Sequence, residues 1–270
     1  MKNLIAIVIF VLVLTSRLAI AGVTMDMVTR DGAGQTIDTA KIYAQAGNVR
    51  IDNTGRKKSE NVSMIFVGDQ VLMLNHKDKS YTVMDKAMLE KMTSQMSAAM
   101  QEMEKQLAQV PPEQRAMVEQ MMKGQMQGMM PKQSAPPAPP RVEKGGPAEW
   151  QSYSCTKYTI YEGGQKSQEI CAASLDQIEG SDEIMGAFRS MAEFVKKMSE
   201  SLPFPMASGM AQNPTGMMDQ IDGFPVHTIQ FEKGSVSQEI SFESIAEQVL
   251  EDSLFTAPSG YKKQDLFKGR

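Results

Sequence analysis

Methionine is the residue type whose abundance and spacing could do chemistry in this chain. The 270 residues include 24 methionines but only two histidines and two cysteines. Five methionines recur at steps of three or four residues, which is the spacing of one helix face: Met88, Met92, Met96, Met100 and Met103. At 100° per residue they span an arc of about 120°, and the face that they form is about 22 Å long.

A methionine face of this kind has competing uses. Unbranched thioether side chains repack at little cost, which suits a surface that binds variable apolar ligands or partners. Thioethers are also soft ligands for Cu(I) and Ag(I), and the stretch "MVEQMMKGQMQGMM", with Met121, Met122 and Met126, offers several close together. A metal site needs two to four converging sulfurs, usually with a histidine or an aromatic ring, and this stretch has neither of those helpers.

The apolar use is therefore favoured, and we predict that the five methionines of the first stretch bind an apolar ligand. Binding of a soft metal ion is the alternative. Scavenging of oxidants by exposed thioethers is a third use of the same residues.

Groups that enzymes commonly use are few and scattered. His76 and His227 stand alone, outside any zinc-binding spacing. The chain has no G-x-S-x-G nucleophile elbow and no P-loop. Acidic residues such as Asp182 and Glu183 are explained by a helix start. The sequence therefore predicts a protein that is not an enzyme and that uses no cofactor.

The charge pattern argues against nucleic acid as a partner. The formal net charge is -4, and no stripe of lysine and arginine runs along the chain. Binding to nucleic acid requires clustered basic residues, because they must neutralise phosphates.

The two cysteines lie in a hairpin-like stretch, "YSCTKYTIYEGGQKSQEICAAS". Alternation up to Tyr161, then Gly163-Gly164, then a second extended stretch is typical of a β-hairpin. Cys155 and Cys171 are equally far from Gly163, so we expect them to oppose each other on antiparallel strands, within reach of a disulfide. The absence of C-x-x-C spacing favours a structural bridge over a reactive or metal-binding pair.

The first 21 residues are typical of a secretory signal peptide. Lys2 is followed by an apolar run and then by Ala19-Ile20-Ala21 before Gly22. We expect cleavage after Ala21, a periplasmic or secreted protein, and no membrane span in the processed chain.

The elements that must position these residues change in type along the chain. Residues 22–84 alternate as a meander of short strands, and residues 85–130 read as a methionine-rich helical hairpin broken at Pro111-Pro112. Residues 131–149 are rich in proline and glycine and predict a flexible linker. Residues 150–270 contain the disulfide hairpin, further strands, and a helix from Ser181 whose apolar stripe is Ile184, Phe188, Met191, Val195 and Met198.

The chain resembles a family of exported bacterial proteins of unknown function. The resemblance lies in the order of these elements and in three stretches, "CTKYTIYEGGQKSQEIC", "GFPV" and the closing "LFTAPSGYKK". That family is thought to share the curved sheet of the LolA and LolB lipoprotein carrier superfamily. The resemblance implies an α+β fold: an incomplete antiparallel β-barrel packed on helices, with an apolar concave face suited to acyl chains. We could match no lid or groove arginine of the carriers to a position here.

Together these observations predict a non-enzymatic protein that binds an apolar ligand or a lipidated partner, such as a lipoprotein, in the concave face. Two alternatives remain open. One is a soft-metal binder, and the other is a structural protein of the envelope that interacts with another envelope protein and takes no small ligand.

Overall fold

The computed structural model describes residues 21–55, 61–109, 139–201 and 220–265. The predicted signal peptide up to residue 20, the second helix of the insertion and the first part of the linker lie outside these residues. Within the described ranges, no helix is both long enough and apolar enough to cross a membrane.

Twelve strands and two long helices make up the described chain. Six strands come first: β1 (Ala21–Asp31), β2 (Thr36–Gln45), β3 (Asn48–Gly55), β4 (Val62–Val67), β5 (Gln70–Asn75) and β6 (Ser80–Met84). Helix α1 (Lys86–Gln109) follows. The second half contains β7 (Arg141–Trp150), β8 (Tyr153–Glu162), β9 (Gln165–Ala173), helix α2 (Ser181–Ser201), β10 (Phe224–Glu232), β11 (Ser235–Val249) and β12 (Lys262–Lys263).

All twelve strands belong to one sheet, in the order β12-β6-β5-β4-β3-β2-β1-β11-β10-β9-β8-β7. Short turns join most sequence neighbours in each half, and those strands pair antiparallel. Strands β9 and β10 also pair antiparallel, although helix α2 lies between them in the chain. The two halves meet where β1 pairs with β11. Strand β12 pairs parallel with β6.

The sheet is strongly curved. Trp150 on β7 stacks flat against His227 on β10, with ring centroids 3.6 Å apart. Three strand spacings in a flat sheet would separate these positions by about 14 Å. The sheet must therefore curl, and it stays open between its terminal strands β7 and β12. The predicted fold class, a curved antiparallel sheet that forms an incomplete barrel packed on helices, is confirmed.

Helix α2 packs against the concave face of the curled sheet. Ile184 packs in a core cluster with side chains from β1 and β8–β11, whereas Phe194 and Met198 pack in a second cluster with β2, β3 and β4. The predicted stripe is largely confirmed: Phe188 and Met191 join these clusters too. Asp182 and Glu183 occupy the first turn, where the helix dipole favours negative charge.

Gly180 brings the start of α2 directly onto β1. Its backbone is left-handed, with φ of 65°, and an added Cβ would lie 2.0 Å from a methyl group of Val23. Only glycine fits at this junction, because every other residue would meet both the strained backbone and the steric clash.

The predicted linker is wrong for its second half, because β7 occupies Arg141–Trp150. Gly145 and Gly146 fall at the irregularity between Lys144 and Pro147 in the pairing with β8. Strand β7 is the last strand of the sheet, so the missing N–H of Pro147 costs no hydrogen bond on the open side. Proline and glycine content is therefore a poor indicator of a linker where the segment can form an edge strand.

The predicted disulfide between Cys155 and Cys171 is confirmed, with Cα atoms 5.4 Å apart. The predicted register is wrong, because Cys155 opposes Ala173 and Cys171 opposes Lys157. Two residues, Gly163 and Gly164, form the turn, and Ser167 is left over as a bulge. The two-residue turn and the bulge together shift the pairing by two residues from the predicted register. A shift of two keeps both cysteines on one face, whereas a shift of one would have separated them.

The closing segment, residues 250–265, covers the outer face of β3–β6. Leu250 and Phe255 are buried against Ile65, Leu72 and Leu74. The segment then pairs with β6 as β12 and reaches the first turns of α1, where Asp265 forms an ion pair of 3.0 Å with Lys91.

A chain of side-chain hydrogen bonds locks this segment to the sheet. Tyr261 Oη lies 2.7 Å from His76 Nδ1, and His76 Nε2 lies 2.6 Å from Ser63 Oγ. Ser63 Oγ donates to Asp52 Oδ1 at 2.5 Å, and Arg50 Nε donates to the same oxygen at 2.7 Å. The tautomer of His76 that accepts from Tyr261 through Nδ1 and donates to Ser63 through Nε2 satisfies every member of the chain.

Removing the disulfide should lower the free energy of unfolding. The bridge closes a loop with a sequence separation of 16, for which the chain-entropy model gives about 3 kcal/mol. Urea unfolding of the Cys155→Ala, Cys171→Ala double variant should show this loss. Dithiothreitol should destabilise the wild type and leave the double variant unchanged. Equal stability of the two proteins under oxidising conditions would contradict the role of the bridge.

Tyr261→Phe should lower the free energy of unfolding by about 1 kcal/mol, because His76 loses a part-buried hydrogen-bond partner. Urea unfolding measures the loss, and limited proteolysis should release the closing segment faster. Tyr43→Phe is the matched control: Tyr43 packs in the same apolar cluster, and its hydroxyl forms no hydrogen bond in the described part of the chain. Equal effects of the two substitutions would rule out the hydrogen-bond chain as the cause.

Candidate functional site

Two rows of apolar side chains cross the concave face of β1–β6. The first, the covered row, consists of directly opposed residues on successive strands: Val23, Ala44, Val49, Phe66, Val71 and Met84. The second, the open row, lies two residues away on each strand: Met25, Ile42, Ile51, Met64, Met73 and finally Thr82. Both rows lie on one face because side chains alternate with a period of two.

The covered row lies beneath the two helices. Phe66 makes an edge-to-face contact with Phe194 of α2, with ring centroids 5.4 Å apart. Leu89 of α1 is buried in the same cluster, and Met92 packs against it.

The predicted ligand-binding methionines are only partly described. Met88 and Met92 are half-buried on α1, and Met92 uses its thioether to pack on the covered row. Met96, Met100 and Met103 lie on the same helix, but their side chains are outside the described part. Their role in binding a ligand stays a prediction.

The side chains of the open row become more exposed from β1 towards β5. Met25 is 3% exposed, Ile42, Ile51 and Met64 are half-buried, and Met73 is 53% exposed. We call Ile51, Val62, Met64 and Met73 the open strip; Val62 lies two residues before Met64 on β4 and is 41% exposed. The strip is an apolar surface on the concave side: Ile51 packs at the edge of the cluster beneath the helices, and Val62 and Met73 are exposed beyond it.

Our sequence reasoning missed the open strip, although a signal was present. In "NVSMIFV" and "QVLMLN" apolar residues point to both faces of each strand. Such strands are covered on both sides or expose one apolar side, and alternation alone does not separate these cases.

Two depressions of the described surface lie away from the open strip. One, of about 500 Å³, lies at the start of α2 and includes Asp176, Glu179 and Glu247. The other, of about 430 Å³, combines the charged groups of Asp26, Lys41 and Asp52 with apolar side chains such as Met27 and Val28. Charged groups at both depressions make them poorer sites for an acyl chain than the open strip, because such a ligand favours an apolar lining.

Ser63, His76 and Asp52 have the residue types of a nucleophilic triad but not its arrangement. In a triad the histidine lies between serine and carboxylate and takes the proton of serine. Here Ser63 lies in the middle and donates to Asp52, while the other nitrogen of His76 faces Tyr261. Ser63 is also 2% exposed, so no substrate can reach it. The arrangement suits a structural lock.

A second polar cluster joins β1, β11 and the turn after β7. Arg30 and Gln151 donate hydrogen bonds to the carboxylate of Glu243, and Ser241 donates to it as well. These bonds, led by that from Arg30, hold the pKa of Glu243 below its usual value although desolvation opposes them. The ionised carboxylate therefore stabilises the fold at neutral pH. That contribution is fully present above the usual pKa of a glutamate, about 4.3, and is lost as the pH falls through the lowered pKa.

Beside this cluster, His227 Nε2 lies 2.9 Å from Glu239 Oε1, and the Trp150 ring covers the imidazole. His227 directly opposes Cys171, so these groups surround the disulfide. A disulfide is typical of proteins that fold outside the cytoplasm, in an oxidising environment.

Comparison with known proteins finds no match among curated proteins. Among solved structures, an uncharacterized conserved protein from Thermus thermophilus is 9% identical, with 92% of this chain and 91% of that chain covered at a TM-score of 0.44. A LolA superfamily protein from Nitrosomonas europaea is 6% identical, with 88% and 90% covered at 0.29. PNGF-II is 9% identical, with 91% of this chain but 31% of that chain covered at 0.37.

The sequence model of one family matches residues 84–261, which are 178 of the 270 residues. The match begins at the last residue of β6 and ends at the tyrosine of the closing segment. The three stretches that carried the predicted resemblance begin or lie within it. The chain belongs to the family described as Domain of unknown function (DUF4412).

Proposed function

We propose that this protein is a non-enzymatic binder that holds an apolar ligand, or the lipid portion of a lipidated partner, on its concave face. The observation that carries the proposal is the open strip, where Met64 and Met73 lie at the uncovered end of an apolar row. Large apolar side chains gain about 1.5–3 kcal/mol each when they are removed from water. A flexible acyl chain is the chemical group that fits such a surface best.

The methionine content of the strip suits a ligand of variable shape. Thioether side chains have three rotatable bonds and adapt to irregular apolar surfaces. Helix α1 starts at the edge of the same face, where Asp85 caps it by accepting a bond of 2.8 Å from the N–H of Met88. Met96, Met100 and Met103, further along α1, remain candidates for contact with the ligand.

The site of action in this proposal is the periplasm or the cell exterior. The buried disulfide and the predicted cleavage after Ala21 both support it. A lipoprotein, or another envelope protein that carries a lipid, is then the partner that matches the apolar face.

The test compares substitutions at Met73 for binding of a fluorescent long-chain fatty acid. Met73→Glu should weaken binding about tenfold or more, because a carboxylate would be desolvated against the chain. Met73→Leu keeps the apolar surface and should change affinity by less than about twofold. Val249→Glu, at a residue 70% exposed on another strand, is the control for added charge.

Native mass spectrometry of protein purified from its own envelope supplies the second readout. Co-purified lipid that is lost in Met73→Glu supports the proposal. Failure of the wild type both to retain lipid and to bind the fatty acid would overturn it, and would favour an envelope protein without a small ligand.

A further inference from the structure

Met73 is the most exposed methionine among those whose side chains the structure describes. It lies on β5, at the end of the open strip, and is 53% exposed. Two other methionines occupy the same open row: Met25 on β1 is 3% exposed, and Met64 on β4, which directly opposes Met73, is half-buried. The open row therefore carries thioethers that range from buried to accessible.

An accessible thioether is open to one covalent change in particular, the transfer of an oxygen atom to its sulfur. With hydrogen peroxide, a lone pair of the sulfur attacks one peroxide oxygen and the O–O bond breaks. The proton on the transferred oxygen passes to the departing hydroxide, which leaves as water. The sulfur is oxidised by two electrons to the sulfoxide, and the peroxide is reduced by two. Because the oxidant must contact the sulfur, burial protects Met25 and exposure leaves Met73 accessible.

The product has the opposite solvation preference to the thioether. A sulfoxide is polar, and its oxygen accepts hydrogen bonds from water, whereas a thioether packs as an apolar group. The neighbours of Met73 in the open strip include Val62 and Met64, whose side chains have no hydrogen-bond donor. An acyl chain on this surface would remove water from the sulfoxide oxygen without replacing the lost hydrogen bonds, which costs free energy. Oxidation of one side chain thus makes the exposed end of the strip polar.

We propose that Met73 is an oxidation site that controls the open strip, with hydrogen peroxide as the oxidant: formation of the sulfoxide at this one side chain lowers the affinity for the apolar ligand. The inference rests on the proposed function and deepens it, because it names a regulation of the same surface. It differs from scavenging of oxidants, in which many thioethers react and no single one changes binding.

Peptide mapping after limited treatment with hydrogen peroxide tests the site without any ligand. The full processed chain would be treated for increasing times, digested and analysed by mass spectrometry. Met73 should be oxidised first among the described methionines. Met25 and Met198, which are 3% and 7% exposed, should react at least about tenfold more slowly than Met73. The same treatment in urea should abolish this difference, because unfolding exposes every thioether.

Binding of the fluorescent long-chain fatty acid tests the control of the strip. Wild-type protein with the sulfoxide at Met73 should bind about tenfold more weakly or worse than the untreated protein. Met73→Leu keeps the apolar surface but has no sulfur at this position, so the same treatment should change its affinity by less than about twofold. This variant retains every other methionine and therefore controls for oxidation elsewhere. Met27→Leu, at a half-buried residue of β1 outside the strip, should lose affinity on treatment as the wild type does.

The outcomes separate this inference from the proposed function. Failure of the untreated wild type to bind the fatty acid overturns both. Binding by the untreated wild type that survives oxidation of Met73 overturns the oxidation site alone. Two further results would also overturn it: equal loss of affinity in Met73→Leu and the wild type on treatment, or oxidation of Met25 and Met198 as fast as that of Met73.

Discussion

Burial of the apolar stripe of α2 is the constraint on which the rest of the structure depends. An amphipathic helix is unstable in water unless its apolar face is covered, and here a single curled sheet covers it. Ile184 packs with β1 and with strands of the second half of the sheet, whereas Phe194 and Met198 pack with β2–β4 of the first half. The helix is therefore the link between the two halves of the core, and Gly180 sets how closely it approaches β1.

The curl of the second half has a local origin in two similar hairpins. The segment Ser-Gln-Glu-Ile occurs at 167–170 in β9 and again at 237–240 in β11. In both hairpins the serine is the bulged residue, and its hydroxyl donates to a carbonyl on the partner strand at 3.2 Å. A bulge increases the local twist of a strand pair. The bulge of β9 lies between β7 and β10, as do the register shifts of the β7–β8 and β9–β10 pairs, and across these strands the sheet curls so that Trp150 stacks on His227.

The two faces of the sheet have different roles. The outer face of β3–β6 is sealed by the closing segment and by the hydrogen-bond chain from Tyr261 to Asp52. The concave face is only partly filled, because the described helices cover one apolar row and leave the end of the next exposed. Methionine is well suited to that boundary. It packs like a hydrocarbon under α1 and α2, and its flexible side chain adapts to what it contacts where the cover ends.

The sequence by itself determined the type of most elements, the partner of each cysteine and the family, because these depend on local periodicity, turn residues and short motifs. Strand alternation before Met84, helical spacing after it and Gly163-Gly164 between two extended stretches are all local signals. The tertiary structure alone decided the register of the disulfide hairpin, the strand at Arg141–Trp150, the contact of His76 with Tyr261 and the exposure of Met73. Each of these features depends on contacts with a part of the chain that is distant in sequence. A bulge changes register without changing periodicity, and an edge strand tolerates proline because one side has no partner. A methionine is core or surface according to whether a distant helix reaches it.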